Sequence, residues 1–120
     1  MTPDAQRHRD KANEAWDAYQ TLVGGGQYVW AVVALAYSAL HHVDTYISDR
    51  GLHVGSHRTR GRIIASTSEL TPIASNYDEL FGRGLSARYD TGISYSSAEV
   101  QALEHSHYQP IRALILRLVP

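Results

Sequence analysis

Apolar residues recur at three- and four-residue spacing along most of this chain, and nowhere do they alternate with polar ones for long enough to build a strand. The first run puts Ala5, Ala12, Ala15, Trp16, Tyr19, Leu22 and Val23 on one face, with Thr2 placed to cap it and Pro3 in its first turn. This predicts an amphipathic helix. Gly24 to Gly26 end it, since three glycines lose too much backbone entropy to stay helical and permit a tight reversal. A short turn implies an antiparallel neighbour. From Tyr28 to Ser48 the chain is apolar nearly all round, through Val29, Trp30, Val33, Leu35, Ala36, Leu40, Val43 and Ile47, which predicts a second helix through the centre of a bundle.

Gly51 and Gly55 mark a connection, and Ser56 is placed to cap a third helix through Ile63 and Ile64, reaching toward Leu70. Thr71 and Pro72 repeat the cap-plus-proline signal ahead of Ile73, Tyr77, Leu80, Phe81, Leu85 and Arg88, a fourth helix. Ser96 and Glu99 have capping-box spacing before a last helix with Val100, Leu103, His107, Ile111, Leu114 and Leu118 on one face and a kink expected at Pro110. The expectation is an all-α, up-and-down helical bundle of four long helices plus a short one, a single domain over residues 1–120.

Composition narrows the chemistry. The 120 residues include no cysteine, which removes disulfides, thiolate metal sites and a cysteine nucleophile. The polar start MTPDAQRHRD has no apolar signal-peptide core, and the apolar run Tyr28 to Leu40 is shorter than the roughly 20 residues that span a bilayer, so a cytoplasmic protein without a membrane segment is expected. Serine-hydrolase elbows and phosphate-cradling glycine loops are absent.

The stretch GQYVWAVVALAYSALHHVDTYISDRGLHVGSH, followed by YDELFGRGLSARYD and a final amphipathic helix, resembles the HEPN superfamily, nucleotide-binding domains of higher eukaryotes and prokaryotes. Ala34, Tyr37, Ala39, His41 or His42, Gly51, His57, Leu80, Ala87, Arg88 and Tyr89 carry the resemblance, which spans about Ala12 to Leu118. It implies an all-α bundle that usually dimerises. In the active branch it implies a metal-independent endoribonuclease or toxin, with an Arg-x(4 to 6)-His element paired across the dimer. Other members are RNA- or nucleotide-binding modules or inactive partners of nucleotidyltransferases, and a toxin would carry an antitoxin partner.

The sequence departs from the active pattern, since neither R-N-x-x-x-H nor R-D-x-x-x-H occurs and only Arg50 to His57 fits the loose spacing. With ten arginines and seven histidines in 120 positions, chance alone supplies about two such matches. If the element works, His57 takes the proton of a ribose 2′-OH and Arg50 or Arg58 stabilises the phosphorane, with neither metal nor cofactor. More telling is the run from Arg50 to Arg62, which holds Arg50, Arg58, Arg60 and Arg62 with His53 and His57 and no acid in a chain of net charge −1. It fits phosphate binding, with Arg88 as a further contact, or a solvated connection whose charges balance Asp44, Asp49 and Asp78; the run itself contains no aromatic residue on which a base would stack.

Tyr37, His41 and Asp44 fall in one row of the second helix, where Asp44 is placed to orient His41, and the resemblance implies that Arg88 and Tyr89 face this helix. In that arrangement Arg88 neutralises Asp44, or binds a phosphate if Asp44 is otherwise engaged. Two other readings stand beside the RNA-binding one: a protein-interaction module using the same arginines, and a metal-dependent bundle enzyme resembling the DinB-like type, with His107 meeting His41 or His42.

Overall fold

The glycine turn at residues 24–26 sets the register of everything before it and just after it. The computed structural model describes residues 1–120. Helix α1 (Pro3–Gly24) and helix α2 (Tyr28–Asp49) lie antiparallel, with Gly26 at φ 75° absorbing the reversal. Residues equidistant from Gly25 meet: Ser38 Oγ donates to the Ala12 carbonyl at 2.8 Å, and the Thr2 hydroxyl reaches the Ser48 carbonyl at 3.5 Å. Thr2 also caps α1, accepting from the Ala5 amide at 3.1 Å, while its own N–H donates to Asp49 Oδ1 at 3.0 Å.

Helix α2 is the central element, with α1 packed on one side and α4 (Ala74–Tyr89) on the other. Its row Val32, Leu35, Ala39, Val43 and Ile47 is buried, so truncating Leu35 to alanine should cost about 2–5 kcal/mol. Contact with α4 is close at one point. A Cβ built on the buried Gly84 would lie 2.4 Å from the Ala36 Cβ, so only glycine lets the two helices approach this far.

Helix α3 (His57–Ser66) is capped by Ser56, whose hydroxyl accepts from the Thr59 amide at 3.1 Å. It stops short of Leu70. Residues Ser68–Ile73 form a 3₁₀ segment containing Pro72, and α4 begins only at Ala74. The Thr71–Pro72 signal therefore does not start α4; the Thr71 hydroxyl bonds back to the Thr67 carbonyl, and Pro72 lies inside the 3₁₀ segment rather than in the first turn of α4.

The last helical stretch runs as α5 (Ser97–Leu103), a π-helical turn (Glu104–Tyr108) and α6 (Gln109–Leu118). The Ser96–Glu99 capping box forms with both bonds present. Pro110 cannot donate to the Ser106 carbonyl four residues back, and Asn76 Nδ2 from α4 donates to that carbonyl instead, at 2.9 Å. The wide turn also moves the apolar stripe by one position. Tyr108 is fully buried where periodicity expected His107, which is only half-buried, beside Asn76.

The molecule is all-α, 38 Å long and 23 Å across in both other directions. Tyr19, Tyr46 and Tyr77 are buried at 2–4% exposure. The exposed large side chains are instead Trp30, Tyr37, Leu52, Leu85 and Tyr89, with Met1. No helix is long and apolar enough to cross a membrane.

Candidate functional site

The basic run divides on folding, because alternate residues of a helix point about 200° apart. On α3, Arg58 and Arg62 stand one turn apart on the solvent face, exposed and without an ion-pair partner. Arg60 turns inward. Its Nε donates to Asp44 Oδ1 at 2.7 Å and its Nη2 to Asp44 Oδ2 at 2.8 Å, and both side chains are buried. Burial works against the guanidinium's charge, but the hydrogen bonds and charge of Asp44 outweigh it and hold the Arg60 pKa above its ordinary value. Of the two roles the sequence offered these arginines, Arg60 takes charge balance, while Arg58 and Arg62 stay open to a ligand.

His57, at the start of α3, reads this pair from the outside. Arg60 Nη1 lies 2.8 Å from His57 Nδ1. An arginine can only donate, so Nδ1 accepts and the ring proton sits on Nε2. The ring is therefore set to donate a hydrogen bond outward, and to take up a proton at Nδ1 it must first give up Arg60. Its other face lies against Phe81, with ring centroids 4.8 Å apart. Arg50 is elsewhere: exposed at the end of α2, it lies over the Tyr46 ring at 4.6 Å and pairs with Glu69 at 3.2 Å. No hydrogen bond or ion pair joins it to His57.

With Asp44 engaged by Arg60, Arg88 is left free of acids. Its guanidinium donates to the Tyr37 hydroxyl and lies over the Tyr37 and Tyr89 rings at 6.0 and 5.2 Å. These residues share a cleft of about 150 Å³ between α2 and α4, floored by Ala36, Leu40 and Gly84 and walled by His57, Phe81 and Tyr89. The aromatic residues missing from the basic run thus come from two other helices. Phe81 in turn stacks on Tyr77 with centroids 5.7 Å apart, and burial raises the Tyr77 hydroxyl to about 12 against the opposing pull of Arg60.

His41 follows a different partner from the one its row suggested. His8 of α1, which the sequence reading passed over, brings its Nδ1 to 3.1 Å from His41 Nδ1. Equal distance from the glycine turn was the available signal: His8 lies 17 residues before Gly25 and His41 lies 16 after it. Burial and the neighbouring His8 hold His41 below its ordinary pKa, Arg60 and Lys11 adding to the effect and Asp44 opposing it. His42 points into the core, its Nε2 3.3 Å from the Tyr108 hydroxyl, which meets Ser38 Oγ at 2.8 Å. Burial, with Arg112 and Arg9 nearby, lowers the His42 pKa to about 4. His107 joins neither histidine; the donors that gather within 4.8 Å of one another are His8, His41 and Asp44.

No protein-family model matches the chain, and no curated protein matches it significantly.

Proposed function

We propose that the chain is a HEPN-like domain that binds RNA or a nucleotide in the cleft between α2 and α4, without cleaving it. One observation carries the reading: an acid-free arginine, Arg88, stands among three aromatic rings, Tyr37, Phe81 and Tyr89, at one opening. A base stacks on such rings, and the guanidinium pairs with the phosphate beside it. His57 donates from Nε2 to an oxygen of the same ligand, and Arg58 and Arg62 lengthen the basic track along α3. The Arg60 bond to His57 Nδ1 favours binding over general-base chemistry, and nothing places Arg50 beside His57 to complete a cleaving pair.

A second reading is a protein-interaction module, including self-association as a homodimer or docking to an antitoxin or nucleotidyltransferase. It is favoured by Trp30 at 54%, Leu85 at 41% and Tyr89 at 68% exposure along the rim of the cleft's two helices.

Titration of a labelled single-stranded RNA and of free nucleotides, followed by anisotropy, tests the two. Binding that weakens about tenfold or more in Arg88→Ala and in Tyr89→Ala, with no RNA products, is the expected result. Products that disappear in His57→Ala would make the chain a ribonuclease. Absence of binding at low salt, with sedimentation showing association lost in Trp30→Ala and Tyr89→Ala, would establish the interaction module in its place.

A further inference from the structure

We propose that His8 and His41, together with Asp44, form a binding site for a divalent ion of the zinc class, fastening the start of α1 to the middle of α2. The site lies outside the cleft and does not rest on the reading of the cleft, although Arg60 touches both, holding Asp44 and donating to His57.

The donor set is two imidazoles and a carboxylate, which suits zinc and its neighbours among the first-row metals rather than magnesium or calcium. The two Nδ1 atoms are 3.1 Å apart, near the ~3.4 Å that separates two nitrogens on a tetrahedral zinc. Their rings are inclined by only 28°, with centroids 5.3 Å apart, so the two nitrogens face each other and a modest turn of each ring makes their lone pairs converge. The carboxylate of Asp44 completes a group whose ligand atoms all lie within 4.8 Å, and a small closure of that spread brings them to bonding distance of one ion.

Asp44 remains able to serve although Arg60 holds it. Each carboxylate oxygen has two lone pairs, and Arg60 uses one on each, so the ion pair acts as the outer hydrogen bonding that fixes a ligating carboxylate in place. Both histidines are part-buried and reachable, His8 from a polar groove with Arg7, Ser48 and His53, and His41 from a groove along α1 with Lys11 and Glu14. Water reaching either groove supplies the remaining ligand of an open tetrahedral site.

Calorimetric titration of the chelator-stripped full chain with Zn²⁺ alone tests the proposal. One ion per chain is expected, with a rise in melting temperature, and affinity should fall at least about tenfold in His8→Ala and in His41→Ala while His53→Ala and His107→Ala bind as before. Circular dichroism checks that each variant keeps its helix content. Should His41→Ala lose it, the partly exposed His8 decides alone through His8→Ala and His8→Gln. No saturable binding, or binding indifferent to His8, would overturn the site and leave the two imidazoles as a hydrogen-bonded pair.

Discussion

Asp44 and Arg60 are joined by two parallel hydrogen bonds of 2.7 and 2.8 Å across the interface between α2 and α3, both side chains shielded from water. Arginine's planar fork matches a carboxylate in this geometry, and in a buried setting either partner alone is an uncompensated charge. α3 contributes few other buried side chains, with Ile64 the main one, so this pair is what fixes its orientation.

Accordingly, Asp44→Asn and Arg60→Ala should each destabilise the fold by about 3–5 kcal/mol in urea unfolding. The double change Asp44→Leu with Arg60→Met should cost much less than the sum of the two. A purely additive result would show that the pair is not shielded.

The same pairing separates the arginines in solution. Arg58→Ala and Arg62→Ala should each flatten the salt dependence of RNA binding by about 0.7 in log–log slope, one phosphate contact on a single strand. Arg60→Gln, measured where the variant is still folded, should leave the slope alone. A reduced slope for Arg60→Gln would mean that it leaves Asp44 to meet phosphate.

Acid should weaken the metal-free fold through His42. Its folded pKa is about 4 against an unfolded value of about 6.5, so the unfolded chain binds more protons between those values and stability rises with pH across that window. The contribution is complete above about pH 6.5 and lost as pH falls toward 4, at most about 3 kcal/mol. His41, also held low by burial, acts in the same sense. Replacing His42 with Gln should flatten the stability profile over this range; an unchanged slope would assign it to other groups.

Two glycines of α4 should respond with opposite sign. Gly84→Ala places a methyl 2.4 Å from Ala36 and should destabilise by about 1–3 kcal/mol, despite alanine's better helix propensity. Gly82→Ala meets nothing within 4 Å on the exposed side of the same helix and should stabilise by about 0.5–1 kcal/mol. Thermal melts of the two variants moving the same way would contradict the close approach of α2 and α4.

What the sequence made legible was mostly local. The caps at Thr2, Ser56 and Ser96 with Glu99, and the glycine turn, act through bonds within a few residues and are found where their spacing put them. Contacts between helices were harder. Helical phase sets Arg60 opposite Arg58 and Arg62 and in line with Ile64, but nothing local marks its partner Asp44, sixteen residues away on another helix. Tyr19 and Tyr77 are buried on the apolar faces where their spacing put them, but Trp30, counted with the apolar positions of the second helix, is 54% exposed because no other helix covers it. Thr71 and Pro72 carry a start signal that goes unused, because a 3₁₀ segment already under way from Ser68 contains both.

The π-helical turn explains the remaining discrepancy and reaches further than its five residues. Leu103 and Tyr108 are five positions apart, which on an unbroken α-helix would leave them about 140° out of line. Both are buried, because the wide turn absorbs one residue as an insertion would. The chain beyond it is thereby clocked back into phase, so that Ile111, Leu114 and Ile115 face inward. Removing a single residue between Glu104 and Tyr108 would therefore restore a regular helix and leave that final segment facing the core it now closes, whereas winding all five residues as α-helix would turn it by about 100°.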